Sequence, residues 1–434
     1  VSPRTVLDSV SKLEGGHLLE LTPDRAMVER VWYRQRFRSH ADPRRRTSTE
    51  RFGELLERSC ARCLTSDRPV GLLLSDGIDS NALLAAMPDA QSNVTCFTFR
   101  LRGGDRSEIP ATIDAQGHEL VSVEASREEL ARHFDEFCND LTEPVGDVAA
   151  LATWKLIRSA RSRATVFLCG HGGDEVLGGY RLSQNLFRLE LLRRSAVLPA
   201  SWMRGAMRRH VNGAESQECR RERLRAAAPA QAPAAARFLI DRPLPASEVR
   251  DLTGGSPANG EGYLATIDRL YDECDTNSPA LGRVQDVLAR TFLSANILSW
   301  ADSVAMSSSA ELRMPYLDRD LVEFVAGLPA GHRVPPWPGK SNTKRVLRDW
   351  ARSRLPAGVL GRSKKGFQSG SACALLPAFP GARTRVLGSA PLRRALPGLE
   401  AWVGSMPTDG SCGAAPLMWA LLVLATWCDA HHIG

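Results

Sequence analysis

The sequence predicts an α/β fold, a doubly wound parallel sheet with helical additions. Three observations carry this. Short apolar runs at Val70–Leu74, Val94–Phe99, Leu120–Val123 and Ala164–Cys169 read as strands buried on both faces. Helical patterns at 48–66, 127–140 and 149–162 stand before and between them. Two of the runs end directly in loops rich in glycine, serine and aspartate, at Ser75–Ser80 and Gly170–Gly179. In an open parallel sheet, ligands gather at such carboxyl ends.

The run at Val70 passes through Ser75-Asp76-Gly77-Ile78-Asp79-Ser80 into an Ala/Leu-rich helix. A strand–loop–helix turn of this kind leaves backbone N–H groups facing outward at a positive helix end, which suits phosphate. Ser75 and Ser80 add hydroxyls, Gly77 permits close approach, and Asp79 offers a carboxylate to a metal. The loop lacks the Gly-Lys-Ser/Thr ending of a Walker A motif. It resembles the Ser-Gly-Gly-x-Asp-Ser loop of ATP pyrophosphatases, with Asp76 in place of the first glycine.

The fourth strand run leads into Cys169-Gly170-His171-Gly172-Gly173-Asp174-Glu175-Val176-Leu177-Gly178-Gly179-Tyr180. Two strand ends that each carry an aspartate toward a phosphate-sized gap predict Mg²⁺ held between Asp79 and Asp174. Glu143-Pro144-Val145-Gly146-Asp147 sets two further acids on a turn.

Elsewhere the chain reads more plainly. Residues 1–35 alternate apolar and polar around Gly15-Gly16, as the closing strands of a β domain would. From 181 to 226 arginines dominate, an Ala/Pro stretch follows to 236, and the segment reads as a basic insertion. A solvated helical face and a dock for an acidic partner or leader-bearing peptide both fit it. Residues 285–330 return to helical periodicity, and Ala414–Trp427 forms a core helix too short to span a bilayer. Four of the six lysines lie between 340 and 365, beside the loops expected to meet phosphate.

With 434 residues, 43% apolar and 24% charged, the chain has the composition of a soluble globular protein holding one large domain and a smaller piece. Its net charge of +7 comes mainly from arginine, and no aromatic interleaving marks a nucleic-acid site. Ten scattered cysteines, with Cys60-x-x-Cys63 lacking a second ligand pair, read as reduced thiols in a cytoplasmic protein.

Taken together, these motifs resemble the synthetase domain of the asparagine synthetase B family, which includes β-lactam synthetases and the macrolactam cyclases of lasso peptides. The matching pieces are Ser75–Ser80, Glu143-Pro144 with Asp147, Gly170–Tyr180, Asp302 with Met306, and Glu311-x-Arg313-x-Pro315-Tyr316-Leu317-Asp318. Lys344 with Leu347-Arg348, then Arg362-x-Lys364-x-Gly366-Phe367, complete the series in family order.

The resemblance implies residues 45–434 as an ATP-dependent amide synthetase domain. It implies residues 1–40 as the end of a glutaminase-like domain of N-terminal-nucleophile type. It further implies adenylation of a substrate carboxylate by ATP with Mg²⁺, then attack by an amine. Ser75, Asp76, Gly77, Asp79, Ser80, Gly170, Gly172, Gly173 and Lys364 are the expected nucleotide contacts, and Asp79 and Asp174 the metal ligands. Lys344 would stabilise negative charge in both steps. His171 stands where asparagine synthetases carry glutamate and β-lactam synthetases tyrosine, so it is the expected base for the amine, with Asp302 or Glu311 as its partner carboxylate. The favoured reading is a specialised ligase such as a lasso-type macrolactam cyclase. The alternatives are a glutamine-dependent asparagine synthetase and an inactive nucleotide-binding relative. Membrane and nucleic-acid partners are not expected.

Overall fold

The computed structural model describes residues 3–24, 27–37, 45–88, 94–103, 117–180, 251–254, 260–275, 278–335, 343–361, 368–406 and 414–433. The basic insertion at 181–236 and Lys364 lie outside them.

Two strands, β1 (His17–Leu21) and β2 (Met27–Val31), pair antiparallel with His17 opposite Val31. Helix α1 (Arg45–Leu64) precedes β3 (Val70–Leu73), and α2 (Ile78–Ala85) follows it. Then come β4 (Thr95–Leu101), β5 (Leu120–Ala125), α3 (Val148–Ala160), β6 (Val166–Leu168) and α4 (Gly173–Leu177). The region expected to be one helix over 127–140 is two, Arg127–Arg132 and Phe134–Asp140, broken at His133.

Beyond 279 a long helical rod runs through α5 (Ala280–Leu288), a ten-residue π-helical stretch (Ala289–Leu298) and α6 (Ser299–Met306). Strand β7 (Glu311–Arg313), α7 (Ala330–Arg333), α8 (Arg345–Ala351) and the carboxyl-terminal α9 (Ala415–Ala430) complete the frame. The helical reading of 285–330 did not anticipate β7. Three residues are too few for a periodicity to register, and pairing with β6 decides their conformation.

The main sheet is parallel throughout, in the order β5-β4-β3-β6-β7. From β3 the chain winds outward through β4 and β5, then returns to lay β6 on the opposite side. The switch point therefore lies between β3 and β6, whose carboxyl ends carry the two glycine-rich loops.

Alternation along the strands divides the core. Phe97 and Phe167 face one side, where their rings meet edge-on at 5.6 Å and join Trp154 of α3 and Trp419 of α9. Leu72, Cys96 and Leu168 face the other, against α1, α2 and α8. No helix among the described residues is long and apolar enough to cross a membrane. The eight described cysteines are all free thiols, and burial pushes Cys60, Cys96, Cys138, Cys169 and Cys274 well above the ordinary thiol range.

The β1–β2 ribbon stands apart from the main sheet. Ion pairs anchor the segment that carries it: Lys12 to Glu143, Glu14 to Arg269 and Arg290, and Arg34 to Glu273 at 3.2 Å. Among the described residues, every exposed large apolar side chain but Met306 lies between Val6 and Trp32.

Candidate active site

The loop after β3 is braced from within. The Ser80 hydroxyl accepts from the Ser75 amide at 3.0 Å and lies 3.0 Å from the Ser75 hydroxyl. Gly77 donates its amide to Ser75 Oγ at 3.2 Å. Asn81, which the sequence reading passed over, donates Nδ2 to the carbonyls of Ser75 and Gly77 at 2.9 and 2.8 Å. The loop's carbonyls are thus turned inward on Asn81 and Ser80. No side chain caps the amino end of α2, whose preceding residue is Gly77. Asp76 and Gly77 are less buried than Ser80, which is only 3% exposed.

The second loop lies against the first at very close range. A Cβ on Gly170 would stand 3.1 Å from Asp79 Cβ, and one on Gly173 would stand 3.0 Å from Asp79 Oδ1. Gly172 has φ +85°, and a Cβ there would also strike Leu317 at 2.4 Å. Glycine is required at this turn on both counts. The loop then enters α4, placing Asp174 in its first turn.

Between the two loops lies the ammonium of Lys344. It donates to Asp79 Oδ2 and sits 2.7 Å from Asp174 Oδ1. The lysine is 3% exposed and begins α8 in the left-handed conformation, with φ 57°. Burial alone would discharge it, but Asp174 and Asp79 outweigh burial and hold its basicity above the ordinary lysine value. Its stem passes beside Gly179, where an added Cβ would fall 1.8 Å from Asp174 Oδ1 and 2.2 Å from Lys344 Cε. Tyr316 closes the floor, donating its hydroxyl to the Asp79 carbonyl at 3.0 Å.

The donor chemistry suits Mg²⁺. Two carboxylates from separate strand ends converge on one cation-sized position, and the described residues offer no third His, Cys, Asp or Glu to complete a cage. Magnesium held this way takes its remaining ligands from water and phosphate.

His171 lies on the same loop, with its ring edge-on to Trp300 of α6 at 5.3 Å. Its Nδ1 is buried without a hydrogen-bond partner, and burial lowers its pKa to about 4 against the opposing charge of Asp174. The imidazole is therefore neutral at pH 7.

Among the described residues neither expected carboxylate bonds to this Nδ1. Asp302 is exposed, on a face of α6 away from the buried run of Trp300, Ala301, Ser303 and Val304. Glu311 stands at the amino end of β7, opposite Val166, and pairs with Arg313 at 2.7 Å. It is at the wrong end of the sheet. A parallel strand carries its first and last residues to opposite edges, and a motif read along the chain cannot show which edge matters. Asp147 accepts the Ala149 amide at 3.0 Å and so caps α3.

This geometry can be set beside known proteins. The asparagine synthase family model matches residues 51–394. The chain belongs to that family. Its members are ATP-dependent ligases that form carbon–nitrogen bonds. A Mycobacterium tuberculosis protein, named provisionally as a glutamine-hydrolysing asparagine synthetase, is 30% identical over 386 residues, covering 84% of this chain and 55% of the relative. Glutamine-hydrolysing asparagine synthetase 1 of Bacillus subtilis is 25% identical, with 84% and 56% covered. The Penicillium rubens amidase chyE is 22% identical, with 85% and 59% covered. The chain therefore spans little more than half the length of these relatives.

Proposed function

We propose that this asparagine synthase-family chain is an AMP-forming amide synthetase. The observation that carries the reading is the Lys344 ammonium between Asp79 and Asp174 at the sheet's switch point. A substrate carboxylate oxygen attacks the α-phosphorus of ATP, and the bond to the bridging oxygen breaks, releasing pyrophosphate and an acyl-adenylate. An amine then attacks the acyl carbon, AMP leaves, and the amine's surplus proton passes to solvent water.

In this proposal the Ser75–Ser80 loop, with Asp76 at its rim, and glycines 170, 172 and 173 cradle the phosphates. Lys364 would add a further phosphate contact. Asp79 and Asp174 would hold Mg²⁺, which supplies charge neutralisation on the departing pyrophosphate. Lys344 then turns its charge toward the phosphate oxygens. Neutral His171 accepts a hydrogen bond from the incoming amine and orients its lone pair. A conjugate acid as weak as its lowered pKa implies suits orientation better than storage of the proton.

Two readings of the substrates follow. The names of the relatives favour aspartate, with ammonia drawn from glutamine. His171 favours a larger amine, as in a specialised ligase or a lasso-type macrolactam cyclase. The first needs a glutaminase-like domain, and the apolar β1–β2 ribbon supports residues 1–40 as part of one. Free thiols support a reducing, cytoplasmic setting.

Substrate-dependent exchange of pyrophosphate into ATP tests the proposal. Exchange with free aspartate selects asparagine synthesis, and exchange only with peptides bearing an internal Asp or Glu selects the cyclase. Binding of ATP with no exchange on any carboxylate would refute the synthetase reading and favour an inactive relative.

A further inference from the structure

Arg333, at the end of α7, is fully buried, and burial lowers its basicity to about 10. Among the described residues no carboxylate compensates it. Among the described residues its Nε and Nη2 have no hydrogen-bond partner, and its guanidinium lies over the Phe37 ring at 5.2 Å. Its Nη1 donates to Oε1 of Gln285, itself fully buried on α5. Gln285 in turn donates Nε2 to the carbonyls of Glu175 and Val176 at 3.0 and 3.1 Å.

The chemistry of the pair fixes its direction. A guanidinium only donates, so Gln285 must present its oxygen to Arg333 and its two N–H donors to α4. A helix leaves its last four carbonyls without a partner inside it, and in five-residue α4 these include Glu175 and Val176. Gln285 closes them from outside, on the turn that begins with Asp174. A buried cation without an ion partner is costly, so stability alone does not account for Arg333.

We infer that Gln285 and Arg333 are positioning residues for the nucleotide site: Arg333 sets the amide of Gln285, and Gln285 tethers α4 so that Asp174 meets Asp79 and Lys344. This rests on the proposal that Asp174 contributes to Mg·ATP binding.

The clean variant is Gln285→Glu. It keeps and strengthens the contact with Arg333 as an ion pair but loses both donors to α4, so the fold is retained while the tether is cut. Arg333→Met, which leaves the amide free to turn, is the second variant. Both are compared with the parent chain and Asp174→Asn in two measurements. The first is calorimetric binding of ATP at fixed Mg²⁺. The second is amide hydrogen exchange over Val176–Gly179 in nucleotide-free protein.

The inference expects Gln285→Glu to weaken Mg·ATP binding about tenfold and to speed exchange over Val176–Gly179 by a similar factor, with its thermal midpoint within a few degrees of the parent. Arg333→Met should shift both in the same direction. Parent-like binding and exchange in Gln285→Glu would overturn it. Weakened binding with unchanged exchange would overturn it too, because the tether would then not be the cause. If Asp174→Asn binds Mg·ATP as well as the parent, the assignment of Asp174 falls instead. Exchange over α4 then decides the tether by itself, and parent-like exchange rejects it.

Discussion

Lys344→Met removes one charge from the centre of the site and leaves a side chain of similar volume. Asp79 and Asp174 then face each other across the gap without the ammonium that bridged them. Breaking a buried pair by deleting one partner costs about 3–5 kcal/mol. The lower end applies here, since both aspartates keep 19% of their side-chain exposure. With an unfolding entropy of roughly 2.1 cal/mol/K per residue over 434 residues, about 3 kcal/mol lowers the thermal midpoint by about 3 °C. Mg²⁺ should return most of this loss in the variant, because the metal then no longer competes with the Lys344 ammonium for the two carboxylates. In the parent the same Mg²⁺ should change the midpoint much less. Scanning calorimetry of both proteins with and without millimolar Mg²⁺ measures the four midpoints. Equal midpoints without metal, or equal Mg²⁺ effects, would refute the placement of the ammonium between the carboxylates. Linkage adds a second check. The basicity of Lys344 is raised on folding, so its stabilisation is complete below the ordinary lysine value and is lost only as pH climbs through the raised one.

Gly179→Ala puts a methyl group onto Asp174 Oδ1 and Lys344 Cε, and pyrophosphate exchange should fall at least a hundredfold while circular dichroism stays close to that of the parent. Glu311→Ala should leave exchange within about twofold of the parent, since its ion pair with Arg313 lies at the amino edge of the sheet and is partly exposed. For His171 the folded pKa of about 4 lies below the ordinary 6.5, so the unfolded chain binds more protons between those values and stability falls as pH drops through them. Denaturant midpoints from pH 7 to 4 should show a shallower acid loss in His171→Gln than in the parent, and identical slopes would exclude a buried neutral imidazole.

Much of the site was legible because strand ends and glycine-rich loops are local patterns. Ser75–Ser80 and Gly170–Gly173 lie where the apolar runs stop, and the sheet order brings the two runs together. The direction of a motif relative to the sheet was not legible, which is why Glu311 was expected beside His171. For Asp302, helical spacing tells which residues share a face, not which face meets the site. Trp300, two residues earlier, packs edge-on against His171. Gln285 bonds to carbonyls of a distant segment and Arg333 to the Gln285 side chain, while Asn81 braces the loop just before it, and such contacts leave no periodic trace in a sequence. Lys344 was identified as a charge stabiliser, but nothing in its neighbours announced a left-handed backbone or a seat between two aspartates.

That seat has a consequence for the order in which ligands arrive. The ammonium is joined to the protein, so it competes for the two carboxylates as an internal occupant whose effective concentration is in the millimolar range or above. A free divalent ion must outcompete it unaided. A nucleotide-bound ion arrives with phosphates that give the displaced ammonium somewhere to go. On the proposed assignment of Asp79 and Asp174 to Mg²⁺, the lysine acts as a turnstile, admitting metal and nucleotide as one species and offsetting part of the carboxylate charge in the empty site.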